Sequence, residues 1–132
     1  MFFDVFLMLQ ILLSETSPIE LTKECKTVIL YVSIMIIMNR HILDELVLSH
    51  AVAMNPVKRW IDIVESSKWQ SIHDIWQCFP TADDVGNRHI VFDIKGNQYR
   101  IIAIVIFIGG VVNIRWAGTH EEYNKIKDCS TL

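Results

Sequence analysis

Three arginines, two histidines and a tyrosine in the last third of the chain carry the residue types that phosphate chemistry needs: Arg88, Arg100, Arg115, His89, His120 and Tyr123. A guanidinium is a planar fork of donors that matches phosphate oxygens and stays charged at any working pH. A histidine is the natural general acid or base near neutrality. Tyrosine rings stack on unpaired bases, so Tyr123 and Tyr99 are candidates for that contact. Asp93 lies in the same stretch and offers Arg100 a plainer use, an ion pair on a solvated face. His120 directly follows Thr119, which with Glu122 has capping-box spacing, so His120 opens the last helix. A helix dipole at that point favours the neutral, base-competent imidazole. The plain alternative for His120 and His89 is an ordinary surface or capping histidine.

These side chains can cooperate only if the strands beneath them place them together. Residues 88–95 alternate around Ile90, Phe92 and Ile94, and Gly96-Asn97 separates them from a long β-like run over 98–107. With Gly96 and Asn97 as the loop, Lys95 faces Gln98, Ile94 faces Tyr99 and Asp93 faces Arg100. Phe92, Ile94, Tyr99 and Ile101 then share one face, and packing is the expected role of Tyr99. Asp93 and Arg100 share the other. Gly109-Gly110 makes the next turn, and a strand over 111–116 returns with Asn113 and Arg115 on one side. Our reading puts these two on the face of Arg100.

Upstream, Ile42, Leu43, Leu46 and Val47 recur at helical spacing and predict a helix over 40–51. Pro56 suits the first turn of a second helix with Asn55 as N-cap, and Val57, Trp60, Ile61 and Val64 make its apolar face. A short third helix fits 71–79, and 81–87 reads as a loop. Trp60, Trp69, Trp76 and Trp116 are expected as core anchors. His41, His50 and His73 are expected at the surface. The fold class is α+β: an antiparallel sheet of three to four strands, two to three helices before it and a short helix after it. The β-branched run over 28–37 reads as a strand or a buried helix segment, and as a strand it would add the fourth.

The chain has 132 residues, 52% hydrophobic and 20% charged, which suits a single globular domain. Net charge is −3, and residues 38–132 hold ten basic against eleven acidic side chains, so RNA affinity must come from local clustering. The cysteines Cys25, Cys78 and Cys129 are odd in number and without metal-ligand spacing, which fits a reducing cytoplasm and neither a disulfide framework nor a metal site. The apolar runs over 1–13 and 28–38 each fall short of the roughly 20 residues that span a bilayer, so no stable membrane association is expected. Residues 14–18 break the pattern early. No P-loop, dinucleotide fingerprint, metalloprotease helix or nucleophile elbow occurs, and no cofactor is expected.

The ordered series Val85-Gly86-Asn87-Arg88, Val91-Phe92-Asp93-Ile94-Lys95-Gly96-Asn97, Tyr99-Arg100-Ile101-Ile102, Ile114-Arg115, Gly118-Thr119-His120 and Glu122-Tyr123-Asn124-Lys125-Ile126 resembles the HigB toxins of type II toxin–antitoxin systems. Trp60, Trp69 and Phe79-Pro80 continue the likeness upstream, from near residue 39 to near 129. The resemblance implies a RelE-like fold and a metal-independent endoribonuclease that cuts messenger RNA on the ribosome and is neutralised by a helix-turn-helix antitoxin. By motif position it implies His120, Arg115 and Arg100 as catalytic residues and Arg88, Lys95 and Tyr123 as RNA contacts. Asp93 stands where the family pattern has Asn, which sets a negative charge beside Arg100, and Asn124 stands where Asp is usual. The division that follows is an apolar extension over 1–37 and a toxin-like domain over 38–132, with Met38 as an alternative start. Competing readings are an RNA- or protein-binding module of the same fold without scission, and a membrane-associated protein driven by the first 37 residues.

Overall fold

The computed structural model describes residues 34–132. The apolar run over 1–13, the breaker at 14–18, Cys25 and most of the apolar run over 28–38 lie outside the described residues. The chain order is β1 (Ile36–Met38), α1 (His41–Ser49), a 3-10 turn (Ala51–Ala53), α2 (Met54–Glu65), α3 (Ile72–Cys78), β2 (Asp83–Gly86), β3 (His89–Ile94), β4 (Tyr99–Ile106), β5 (Val111–Thr119), α4 (His120–Tyr123) and a 3-10 turn (Cys129–Thr131).

The α+β class stands, and the sheet has five strands in the order β1-β5-β4-β3-β2. β2 to β5 form an antiparallel meander, whereas β1 runs parallel to β5, with Ile37 opposite Val112. The fourth strand expected from upstream is thus β1. Asn39 ends it at φ 63°, a conformation Asn tolerates better than most residues. Its side-chain amide donates to the Asn113 side-chain oxygen (2.6 Å) and the Ile114 carbonyl (3.3 Å), tying β1 to β5.

The fifth strand, β2, occupies the stretch expected as a loop. Its sequence, Asp-Asp-Val-Gly, has turn composition, but as an edge strand it keeps both aspartates exposed, and charges on an edge deter further pairing. α2 begins earlier than expected. Ala53 stands at its N-cap without a side-chain cap, and Pro56 is the third helical residue, where its missing N–H leaves no bond unmade.

Alternation sends Ile90, Phe92, Ile94, Tyr99, Ile101, Ala103, Val105, Val112 and Ile114 to one face, where they pack with Leu43, Leu46, Val57, Trp60, Val64, Trp69 and Ile75 from the helical side. Phe92 sits at the centre. Trp60 and Phe79 meet its ring edge-on at 5.3 Å each, and Trp69 stacks on it at 6.1 Å and 18°. Burying one such ring is worth about 1.5–3 kcal/mol. Trp60 and Trp69 are therefore the expected anchors. Trp76 is not: it is 40% exposed, because its indole N–H reaches back to the Ala82 carbonyl (2.8 Å) instead of entering the core.

Candidate functional site

The opposite face of the sheet carries the polar chemistry. Register sets it out in rows: Asp93, Arg100 and Gly118 in one, then Val91, Ile102 and Trp116, then His89, Ile104 and Asn113. The expected pairing of Asp93 with Arg100 and of Ile94 with Tyr99 is observed. Asn113 lies on the face of Arg100, as read from the sequence. Tyr99 is 6% exposed in the core, with its ring 5.5 Å from that of His50.

A bulge changes the rest of β5. Ile102 pairs with Trp116 and Ala103 with Ile114, so Arg115 is the additional residue between them. Beyond this point the alternation is shifted by one. Trp116, expected under the helices, falls on the open face and is half-buried, while Ala117 packs against the core. Arg115 is exposed, and among the described residues its guanidinium has no hydrogen bond or ion pair. It sits between the Ile102–Trp116 and Ala103–Ile114 pairs, two to three residues from Arg100 along the neighbouring strand, or about 7–10 Å.

Arg100 is largely engaged. Its Nε lies 3.3 Å from the Asp93 carboxylate, one Nη donates to the Asn97 side-chain oxygen (2.7 Å), and its guanidinium carbon stands 4.5 Å over the Tyr123 ring. The ion pair weighed as the plainer use of Arg100 is present. Stacking on tyrosine adds a cation–π attraction of about 0.5–1 kcal/mol at a part-exposed site. Tyr123 also meets Trp116, ring centres 6.3 Å apart and tilted by 50°. Burial first, then the Cys129 thiol, raises the Tyr123 phenol above its ordinary value, and the Arg100 charge opposes this.

α4 begins where β5 ends. The Thr119 hydroxyl accepts from the Glu122 N–H (3.2 Å) and the Glu122 carboxylate accepts from the Thr119 N–H (3.1 Å), completing the capping box. The Thr119 backbone N–H first, and then the Thr119 side chain, hold the Glu122 carboxyl below the usual value. His120 follows, its N–H bonded to the Gln98 carbonyl (2.9 Å), so the β4–β5 ladder extends to it. It stands two residues, or about 7 Å, beyond Gly118, the strand partner of Arg100. Its imidazole Nδ1 is buried and has no partner among the described residues. α4 is a single turn, so few peptide dipoles align behind His120 and the dipole argument has little purchase.

The other expected residues lie farther out. Lys95 is exposed in the β3–β4 turn at φ 51°, just past the Arg100 row. Arg88 is exposed in the β2–β3 turn at φ 64°. It sits five residues before Asp93, roughly 16 Å along the strand, and does not join the Arg100 cluster. His89 is 2% exposed, with Nδ1 2.7 Å from the Asn87 carbonyl and Nε2 2.9 Å from the Leu132 oxygen, a structural tie for the C-terminal segment. Asn97 and Trp116 are the residues the sequence reading did not select. The parity of Trp116 pointed to the core, and only the bulge reverses it.

Among the described residues no helix is long and apolar enough to cross a membrane, and no group of three or more His, Cys, Asp or Glu side chains could hold a metal ion. A family model described as HigB_toxin, the RelE-like toxic component of a toxin–antitoxin system, matches residues 53–126, more than half of the chain. No curated protein matches it.

Proposed function

The chain belongs to the HigB toxin family, the RelE-like toxic components of toxin–antitoxin systems, and from that premise we propose that it is a metal-independent endoribonuclease acting on messenger RNA at the ribosome. Membership implies an antitoxin partner. In the proposed reaction the ribose 2′-OH attacks the adjacent phosphorus in line. His120 takes the 2′ proton, Arg115 and Arg100 hold the phosphate oxygens, and the leaving 5′ oxygen is protonated as the P–O5′ bond breaks. The Tyr123 phenol, protonated near neutral pH as any tyrosine is and raised further by its burial, is the donor closest in character to that last step. Arg88 and Lys95, both exposed, would contact the backbone of the RNA farther along its path. A helix-turn-helix antitoxin and a cytoplasmic setting complete the reading.

The observation that supports this most is Arg115, a cation without a partner among the described residues, raised on the bulge beside the Arg100–Tyr123–Trp116 cluster. Positioned donors aimed at developing charge are commonly the largest contribution to such catalysis. Induction of the protein should arrest growth and cleave messenger RNA in a translation extract. Arg115→Ala combined with His120→Ala should lower scission by about 10²–10⁴-fold or more. A double variant that remains fully toxic refutes this site.

A second reading, binding without scission, draws on Asp93, whose carboxylate already occupies part of Arg100. It predicts that the wild-type protein binds RNA and leaves it intact.

A further inference from the structure

Trp116 and Gly118 are two residues apart on the open face, and the space in front of Gly118 is filled by the indole. A methyl group on Gly118 would lie 2.6 and 2.7 Å from two carbons of the six-membered ring of Trp116, and 3.4 Å from a Glu122 carboxylate oxygen. No real side-chain carbon approaches that closely. The φ of Gly118 is not in the left-handed region, so the glycine answers to space and not to backbone conformation. Its missing side chain lets the indole lie down along β5 toward the Arg100 row, beside Tyr123. The helical face treats its tryptophans differently: Trp60 and Trp69 are 1% and 3% exposed, each against Phe92. Trp116 instead keeps part of its surface open, next to Arg115 in the same bulge, a cation without a partner among the described residues.

We propose that Trp116, seated on Gly118, is a stacking platform for one unpaired nucleobase of the RNA, with Arg115 taking the phosphate of the same nucleotide. The proposal rests on the nuclease reading above and extends it to a substrate subsite. An aromatic plane and an adjacent guanidinium without a partner among the described residues match two features of every nucleotide in single-stranded RNA: a π-face that is nearly independent of base identity, and a phosphate charge. Tyr123 cannot supply the plane as readily, since Arg100 covers one side of its ring and Trp116 abuts it. Gly118 is a positioning residue and Trp116 a binding residue.

The test measures binding of a short unstructured oligoribonucleotide at several salt concentrations, and scission in a translation extract, for the full-length chain. Trp116→Ala should weaken binding roughly tenfold, within the range that one stacked base contributes. Trp116→Phe should keep most of the affinity. The dependence of log affinity on log salt should stay as in wild type for both, because no phosphate contact is lost, whereas Arg115→Ala should reduce that slope by about 0.7. Gly118→Ala should behave like Trp116→Ala, and the smaller ring of Trp116→Phe in the same chain should restore binding. Thermal melts separate these effects from misfolding, and Trp116→Phe keeps the proposal testable should Trp116→Ala not fold. Wild type that binds and cuts RNA together with an unchanged Trp116→Ala overturns the platform alone. Wild type that neither binds nor cuts RNA overturns the platform and the nuclease reading together.

Discussion

The two faces of the sheet are built on different physics. The helical face is decided by burial: Phe92, Ile101, Ala103 and Ile114 are all fully buried, and the only specificity needed is volume and alternation. The open face is decided by individual pairings. Asp93 meets Arg100, Arg100 meets Asn97 and Tyr123, and Tyr123 meets Trp116. Val91 and Ile102 are also buried, yet they stand outside the helical-side core, in the row next to that of Arg100. The contrast teaches that stability and chemistry are separable here, since one strand such as β4 contributes to both from alternate residues.

That separation can be broken from either side. Phe92→Ala empties the centre of the aromatic cluster and should cost about 3–5 kcal/mol of unfolding free energy in urea titrations. A loss below about 1 kcal/mol would mean the helical face is not the core. Thr119→Ala removes the hydroxyl of the capping box and should cost about 1 kcal/mol, while moving His120 and so lowering scission out of proportion to stability. If both fall together, the cap is purely structural. Asp93→Asn restores the residue expected from the family pattern. It should change stability by less than about 1 kcal/mol, because the pair is part-exposed, and should tighten RNA binding by releasing Arg100. Weaker binding in a gel-shift series at fixed salt would show that the carboxylate orients Arg100 productively instead of competing for it.

The smallest expected effect is a pH dependence. Hydrogen bonds from Thr119 lower the Glu122 carboxyl in the folded state, so its contribution to stability is present above the unfolded carboxylate value and is lost as pH falls through the folded one. Glu122→Gln should flatten the acid limb of the stability curve slightly. Melts of both proteins between neutral and acid pH check this, and parallel curves would remove Glu122 from the account.

Local sequence determined a good part of this molecule. The pairing of Asp93 with Arg100 and the burial of Tyr99 follow from period-two alternation and a turn at Gly96-Asn97, both properties of adjacent residues. The same holds for the capping box at Thr119 and for the apolar stripe of α2. Parity after Ile114 was decided only by tertiary structure. A bulge is a relation between two strands, and only the pairing with Ile102 and Ala103 shows that Arg115 is the extra residue between Ile114 and Trp116. One inserted residue exchanges inside for outside, which is why Trp116 reads as a core anchor in sequence and stands on the open face in the fold. β2 and the parallel pairing of β1 are of the same kind: Asp83–Gly86 has turn composition and becomes a strand only at the edge that β3 offers, and the direction in which Ile36–Met38 pairs is set by β5.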